Sequence, residues 1–411
     1  MNKPKPQHVE MNQFGIRDNE LVIGGVKITE LAQQLGQTPF YAYDKKVIEG
    51  TMKNLREILP DEISIHYAIK ANPMPELVHY MATLTDGFDL ASKGELLTAL
   101  ETNKPAEHIS IAGPGKTDNE LKAAIQAGIT INMESAGEMR RIQAISDSLG
   151  VTANVAIRVN PDFNIKASGM KMVGGPRQFG IDEELVPGIL ETLKSSKLQF
   201  VGFHIYSGSQ FLNETAIIET NSKIFDLAIR LSNAAHISPK TLNIGGGFGI
   251  PYFPGDKRLS LNNIASELKI QSQKFRSQYP ETKIYMELGR YLVGEAGVYI
   301  TRVIDKKISR GTTYLITDGG MHHHLAASGN FGQIIRKNYP VCIATNMNED
   351  KKELVSIVGP LCTPLDILAD KMMLPVANEG DLVCIYQSGA YGLSASPQGF
   401  LSRQNALEIL I

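Results

Sequence analysis

Eight short apolar segments, each followed by a segment of helical periodicity, occupy roughly residues 40–290 of this 411-residue chain. The intervening segments often begin at Ser, Thr or Asp and end at Gly, as helices do. Eight strands that are each trailed by a helix predict a (β/α)8 barrel. The predicted strands are "IHYAIK", "GFDLAS", "HISIAG", "ITINMES", "NVAIRVN", "FVGFHIYS", "TLNIGG" and "IYMELGR".

The alternative is an open doubly wound sheet, which the count of eight and the lack of a glycine fingerprint after the first strand disfavour. After residue 290 the pattern changes to strands with few helices between them, among them "VYITRVI" and "DLVCIYQSGAYG". We therefore predict an α/β fold with a TIM-like barrel at residues 39–290. Residues 1–38 and 291–411 are predicted to form a β-rich, β-barrel-like domain.

Composition excludes several classes of function. The formal net charge is −2, so the chain lacks the basic excess of nucleic-acid-binding proteins. No apolar run approaches the length of a membrane span, and the first residues have no apolar core of the secretory type. Three cysteines, Cys342, Cys362 and Cys384, are too few for a disulfide framework. We expect a cytoplasmic protein that binds neither nucleic acid nor membranes.

Polar residues stand where several predicted strands end, which is where barrel enzymes place their sites. Lys70 ends the first strand, Asp89 is near the end of the second and Arg158 is near the end of the fifth. Glu287 lies near the end of the eighth strand, and the glycine-rich stretch "GGGFGIPY" follows the seventh. Glycine-rich turns at this position hold phosphate through backbone N–H groups.

A lysine in a site of low polarity can lose its proton and attack a carbonyl. Together with a phosphate loop and an acid, it predicts pyridoxal 5′-phosphate (PLP) bonded to Lys70, with its pyridine nitrogen paired with Glu287. The phosphate would contact Gly245, Gly246, Gly247, Ser209 and Arg290.

Each feature also has a structural explanation. A strand-end lysine is commonly a surface charge, and a glycine run is commonly a tight turn. His204, on an apolar strand, is commonly a packed histidine, and Cys362 by itself is a small buried hydrophobe. The run "MHHHL" suggests a metal site, but neighbouring residues on a strand point to opposite faces, so we predict no metal. The PLP hypothesis rests on the fact that several such features are predicted at the same end of the barrel, where the strands end.

Six motifs, in order along the chain, resemble those of fold-type III PLP enzymes of the ornithine/diaminopimelate decarboxylase family. "YAIKANP" resembles the motif of the cofactor-binding lysine, and "GFDLASKGEL" resembles the second-strand motif. "GGGFGIPY" and "ELGRYLVG" resemble the phosphate-loop and pyridine-glutamate motifs. "GPLCTPLD" and "GAYGLSASPQGF" resemble the catalytic-cysteine and tyrosine motifs. The resemblance covers nearly the whole chain and implies an amino-acid decarboxylase.

The resemblance implies roles for the matching residues. Lys70 would hold PLP, and Glu287 would keep the ring protonated, where alanine racemases of the same fold have an arginine. Cys362 would reach the site from the other subunit of a homodimer and protonate the carbanion, so the active sites would be shared. Thr363, Arg290 and Tyr391 would contact the substrate. Further cofactor contacts would come from Asp89, Arg158, Ser209, Gly245, Gly246, Gly247, Gly289, Arg290 and Tyr391.

Two departures from the family pattern bear on the substrate. "FHIYSGSQ" places Tyr206 where the family has a histidine that stacks on the PLP ring, and His204 lies two residues earlier. Thr363 stands where the family typically has an acid that receives a distal ammonium. The segment 319–341 also lacks the arginine–tyrosine run of diaminopimelate decarboxylases. These features resemble decarboxylases of siderophore, exopolysaccharide and carrier-protein-linked pathways.

The predicted function is decarboxylation of an L-α-amino acid or derivative with a non-basic, acylated, carboxylated or carrier-linked distal group. The histidines His322–His324, with Arg336 and Lys337, would favour an anionic distal group. The main alternative is diaminopimelate decarboxylase. An alternative of another class is a non-catalytic PLP-binding homologue, which Lys70, Glu287 and Cys362 disfavour.

Overall fold

The computed structural model describes residues 7–163, 170–171 and 174–411, which form two compact units. One unit comprises Met52–Gly249 and Leu259–Tyr291. The other comprises the chain up to Thr51 together with Ile250–Arg258 and Leu292–Ile411. The barrel domain predicted from the sequence begins at residue 39, whereas the unit that contains the barrel begins at Met52.

Eight parallel strands close into a barrel in the first unit. Each strand pairs with the next along the chain, and the last pairs with the first. This confirms the predicted (β/α)8 barrel and all eight of its strands. They are β1 (Ile63–Ala68), β2 (Gly87–Leu90), β3 (Ile109–Ile111), β4 (Thr130–Met133), β5 (Asn154–Asn160), β6 (Gln199–His204), β7 (Thr241–Gly246) and β8 (Lys283–Leu288).

Helices follow the strands and use the predicted start and stop residues. Thr117 caps one helix by accepting a hydrogen bond from the backbone N–H of Glu120, and Gly128 ends that helix in the left-handed region. The α-helices from residue 45 to 293 are Lys45–Ile58, Pro75–Leu84, Lys93–Leu100, Asp118–Ala127, Ala136–Leu149, Val186–Lys194, Glu214–Ala235, Asn262–Arg276 and Arg290–Val293. Short elements complete the unit: 3-10 turns at Ile69–Ala71 and Ala106–His108, and strand pieces at Met170–Lys171, Ile181–Asp182 and Gly208–Ser209.

The barrel strands bury polar side chains as well as apolar ones. Asp89, Asn132 and Asn243 are fully buried, and His204 and Glu287 are nearly so. Burial of polar and charged groups is costly unless they find partners. Their accumulation within the strands marks this part of the barrel as a candidate site rather than ordinary core.

The second unit is β-rich, as predicted. Its largest sheet is mixed, and the strand Phe40–Tyr43 pairs with both Gly297–Ser309 and Leu407–Leu410. The other strands of this sheet are Thr312–Thr317, Val341–Ile343, Lys352–Val358, Ile367–Pro375 and Leu382–Ile385. The first described residues add a three-stranded sheet and a helix, Ile28–Leu35, and two 3-10 turns lie at Leu393–Ala395 and Phe400–Ser402. The strands of the small sheet are Gly15–Arg17, Glu20–Ile23 and Val26–Lys27.

The core of this second unit joins its small sheet to its large one. Leu21, Ile23 and Ile28 pack in one buried cluster with Phe40 and Ile300. Burial of such side chains drives the packing of the two layers. Among the described residues, no helix is long and apolar enough to cross a membrane.

Closure of the barrel beside β7 depends on glycine at position 202. A Cβ atom there would overlap the carbonyl oxygen of Thr241 on the neighbouring strand. We expect Gly202→Ala to lower the free energy of unfolding by about 1–3 kcal/mol, as overpacking does. Gly188→Ala is the matched control, because its Cβ would meet open space within a helix. Urea unfolding of both variants checks this, and equal stability of the two would contradict it.

Candidate functional site

Lys70 lies in the one-turn 3-10 helix Ile69–Ala71 directly after β1. Its Nζ donates a hydrogen bond to Oδ2 of Asp89 at 2.7 Å. The Lys70 side chain is 35% exposed, whereas that of Asp89 is completely buried. Burial and the negative charge of Glu287 raise the pKa of Asp89, and the charge of Lys70 opposes them. The lysine therefore contacts the buried acid at the end of β2 instead of extending into solvent.

Two rings of the β6 segment occupy different positions around this lysine. The Tyr206 ring centroid lies 5.8 Å from Lys70 Nζ. His204 lies deeper, with its Nε2 3.2 Å from Oε1 of Glu287, and both side chains are almost wholly buried. The tyrosine thus faces the lysine and the histidine faces the carboxylate.

Glu287, on β8, is held by side chains from two other strands, β6 and β7. His204 approaches its Oε1 from β6, and Asn243 Nδ2 donates a hydrogen bond to the same oxygen from β7. Burial acts to raise the pKa of Glu287. The charge and contact of His204, the charge of Lys70 and the Asn243 bond outweigh it and hold the pKa well below its usual range. The carboxylate is therefore ionised and fixed.

The glycines after β7 allow two backbone segments to meet. Gly245 and Gly247 have φ values of +70° and +78°, in the region that favours glycine. A Cβ on Gly245 would lie 2.8 Å from the carbonyl oxygen of Ile205, and one on Gly247 would overlap that of Gly208. A Cβ on Gly246 would overlap the carbonyl oxygen of Glu287. This turn carries no side chains that would keep a phosphate away from the backbone, which fits an anion site.

The end of β8 approaches the lysine through another glycine. A Cβ on Gly289 would lie 2.8 Å from that of Ala71, beside Lys70. Arg290 then begins the short helix Arg290–Val293. Ser209 lies in the half-buried strand piece that follows β6. The barrel unit therefore brings the ends of β1, β2, β6, β7 and β8 together.

Arg158 forms a buried ion pair that the sequence did not reveal. Its guanidinium donates to Glu134 Oε1 at 2.7 Å and lies 4.9 Å from the Phe179 ring centroid. Glu134 also accepts backbone hydrogen bonds from Gly113 and Gly180. Burial acts to raise the pKa of Glu134, but the charge and hydrogen bond of Arg158, the Gly180 hydrogen bond and the Lys116 charge together outweigh it and lower the pKa. Glu134 thereby joins Arg158 to the backbone at Gly113 and Gly180. Contact between Arg158 and the cofactor stays a prediction.

In the second unit, Cys362 is exposed on the loop between the strands Lys352–Val358 and Ile367–Pro375. Thr363, the next residue, accepts a bond from the Leu365 N–H at 3.3 Å. The buried Asp366 carboxylate closes the loop by accepting the N–H groups of Met321 at 2.6 Å and Leu361 at 2.8 Å. Tyr391 lies elsewhere in this unit with a φ of +53°.

The histidine run lies in turns, not on a strand. His323 Nε2 contacts the Gln404 carbonyl and His324 Nε2 contacts Ser388 Oγ, so both rings are tied into the fold. His322 is buried, and neither ring nitrogen has a hydrogen-bond partner in the described part of the chain. Burial and the His323 and Arg403 charges lower the pKa of His322 to about 4. No metal-binding group of three or more His, Cys, Asp or Glu occurs within the described ranges.

Comparison with known families identifies the family of the chain. Residues 45–294 match the model of the pyridoxal-dependent decarboxylase family, in its pyridoxal-binding domain. The chain belongs to this family. The match confirms the predicted family, the PLP cofactor and the carboxy-lyase activity: this is a PLP-dependent decarboxylase.

Individual relatives match this decarboxylase over nearly its full length. The L-glutamyl-(BtrI acyl-carrier protein) decarboxylase of Niallia circulans is 40% identical, over 93% of this chain and 91% of its own. The 2-((L-alanin-3-ylcarbamoyl)methyl)-2-hydroxybutanedioate decarboxylase of Staphylococcus aureus is 31% identical, over 91% and 94%. The structure of Methanocaldococcus jannaschii diaminopimelate decarboxylase with L-lysine has a TM-score of 0.87 at 28% identity, over 97% and 93%.

Three polar residues of the barrel unit, near the candidate site residues, were missed from the sequence. Asn243 and Glu134 are polar residues within or at the end of apolar strands, a signal that strand prediction ignores. Glu95 lies inside the quoted motif "GFDLASKGEL" and accepts the Ala91 N–H at 2.6 Å. Burial raises the pKa of Glu95 to about 6. Its position as the third residue of a helix resembles an ordinary capping residue, which concealed it.

Proposed function

We propose that this decarboxylase acts on an L-α-amino acid with an uncharged or anionic distal end, joined through an acyl link to a carrier protein. One observation carries the proposal. The loop of Cys362 contains a single acid, Asp366, and both of its carboxylate oxygens already accept backbone hydrogen bonds. That carboxylate is buried and lies against Gly320 and Gly359, so the loop presents no exposed carboxylate to a distal ammonium.

The cost of burying an unpaired charge favours a substrate whose distal group is uncharged where it meets the Cys362 loop. A buried ammonium without an acid beside it costs several kcal/mol, which would penalise ornithine or lysine. The Thr363 hydroxyl both donates and accepts hydrogen bonds, which suits an amide or ester. Arg336 is already engaged, since its guanidinium donates to the carbonyls of Ser328 and Ile367.

The relatives support the same substrate class. The Niallia circulans enzyme is named for a glutamyl group on an acyl-carrier protein, and the Staphylococcus aureus enzyme for a carbamoyl-linked amino acid. The likeness to diaminopimelate decarboxylase structures supports the alternative that the substrate is diaminopimelate. The absence of the arginine–tyrosine run from the sequence of segment 319–341 argues against it.

The described residues would hold PLP at several points of the barrel. Lys70 would bond it covalently, Glu287 would pair with its ring nitrogen, and the Gly245–Gly247 turn would bind its phosphate. Ser209, Gly289, Arg290 and Tyr391 would complete the phosphate contacts, and Tyr206 would take the ring-stacking position. When bound, PLP supplies an electron sink for the electron pair that remains as CO2 leaves. Before PLP binds, Asp89 holds the lysine ammonium in place. With PLP bound, the ionised Glu287 would keep the ring nitrogen protonated.

We also propose that the enzyme is a cytoplasmic homodimer with shared active sites. Cys362 is exposed on its loop, so its thiol is able to reach a partner subunit. There it would give its proton to the α-carbon after the bond to the carboxylate breaks. The three cysteines are unpaired, which suits a reducing compartment.

The covalent bond to Lys70 is testable by trapping. Borohydride reduction of the enzyme with PLP should fix the cofactor to Lys70, located by peptide mass spectrometry. Lys70→Ala should lose turnover by several orders of magnitude, because covalent catalysis is removed. Lys122→Ala, an exposed lysine of the barrel unit, is the control and should keep both the adduct and activity. An adduct on any other lysine would sink the assignment.

The shared site is testable by mixing two inactive variants. Lys70→Ala and Cys362→Ala subunits exchanged at random give roughly half mixed dimers, each with one intact site. We expect decarboxylation to return in the mixture while each variant alone stays inactive. Subunit exchange is verified by mass. Exchange without recovered CO2 release would show that the site is not shared in this way.

The substrate class is testable with a CO2-release screen. We expect acylated and carrier-bound amino acids to be turned over well, and free ornithine, lysine and arginine poorly. Thr363→Asp should improve turnover of ornithine or lysine, on the order of a hundred-fold, because an acid then meets the ammonium. Thr363→Ser keeps the hydroxyl and should behave as wild type. Efficient wild-type turnover of free ornithine refutes the proposal, and that of meso-diaminopimelate establishes the alternative.

A further inference from the structure

Asn243 is a buried amide in β7 that contacts two separate parts of the site. Its Nδ2 donates to Oε1 of Glu287, on the neighbouring strand β8. Its Oδ1 accepts the backbone N–H of Gly245 at 2.8 Å. The residue is completely shielded from solvent. One side chain therefore joins the carboxylate of β8 to the first residue of the glycine turn.

In the proposed function, Glu287 and the glycine turn that begins at Gly245 bind different parts of PLP. Glu287 is assigned to the ring nitrogen of PLP, and the Gly245–Gly247 turn is assigned to its phosphate. We propose that Asn243 is a positioning residue that fixes these two recognition elements relative to each other. This inference rests on the proposed placement of PLP and names a residue that acts through its neighbours, without a contact of its own to the cofactor.

The amide group is suited to this task because it donates and accepts at once. An aliphatic residue would leave the Gly245 N–H and the Glu287 oxygen without this partner, and unmet buried polar groups are costly. The amide is thus oriented by two groups, the Glu287 carboxylate and the Gly245 N–H.

The two carboxylate oxygens of Glu287 differ in their contacts with the protein. Asn243 and His204 both approach Oε1, from β7 and β6. We assign Oε2 to the ring nitrogen, because Oε1 is the oxygen that the protein itself holds. Fixing one oxygen sets the direction of the other. The glycine turn is held through its first N–H by the same amide, so a movement of either element displaces its counterpart.

Asn132 provides a matched control within the same barrel. It is also a completely buried asparagine, on β4. Neither side-chain polar atom of Asn132 has a hydrogen-bond partner in the described part of the chain. Truncation of either asparagine removes the same atoms from the barrel. Only the truncation at position 243 removes the link between Glu287 and Gly245.

The experiment compares Asn243→Ala and Asn132→Ala in the full-length protein. Affinity of the apoprotein for PLP and for inorganic phosphate is measured by calorimetry. Protonation of the bound ring is read from the 15N chemical shift of 15N-labelled PLP. We expect Asn243→Ala to weaken both affinities on the order of ten-fold or more and to move the 15N signal toward the unprotonated form. Asn132→Ala should leave all three readouts near wild type.

Every other outcome overturns the proposal. Unchanged phosphate affinity, or an unchanged 15N signal, would show that Asn243 serves at most one element and does not couple them. Equal losses in Asn132→Ala would show a general effect of barrel packing. Asn243→Ser, a milder truncation, replaces Asn243→Ala if the latter does not fold. Failure of PLP placement itself appears separately, as a borohydride adduct away from Lys70 in the wild type.

Discussion

The site depends on the burial of two negative charges within one barrel. Asp89 and Glu287 are each shielded from water, and each raises the energetic cost of ionising the other. Such a pair persists only if cations and hydrogen-bond donors compensate it. Lys70 compensates Asp89, while His204 and Asn243 compensate Glu287. The placement of the lysine is therefore set by electrostatics as much as by the strand that carries it.

The glycines obey a different constraint, which is space. Between β6 and β7 the backbone segments approach so closely that a Cβ atom would strike a carbonyl oxygen. The lack of side chains that permits this approach also leaves the backbone uncovered. The same glycines therefore serve the packing of the strand ends and would suit the proposed phosphate. Gly289 meets the same requirement beside Ala71, where β8 approaches the lysine turn.

Strand periodicity and the quoted motifs were enough to predict the barrel, because eight repeats of one pattern leave few alternative topologies. They also selected Lys70, Glu287 and the glycine turn, which stand at strand ends. They did not reveal Asn243, Glu134 or the Asp366 contacts, because each depends on which strands become neighbours. The histidine run shows a second limit: an argument from strand geometry was applied to a segment that forms turns. Charge compensation and loop closure are properties of three-dimensional neighbours, so periodicity alone does not encode them.

Asp366 has a consequence for how such an enzyme changes over generations. It ties the backbone at Met321, beside the histidines, to the backbone at Leu361, beside the thiol loop. Gly320 and Gly359 both press against its carboxylate. An insertion or substitution that changes the backbone of either segment would shift the other, because both segments are hydrogen-bonded to the same Asp366 carboxylate. A lineage that alters one of these two segments must therefore compensate in the other.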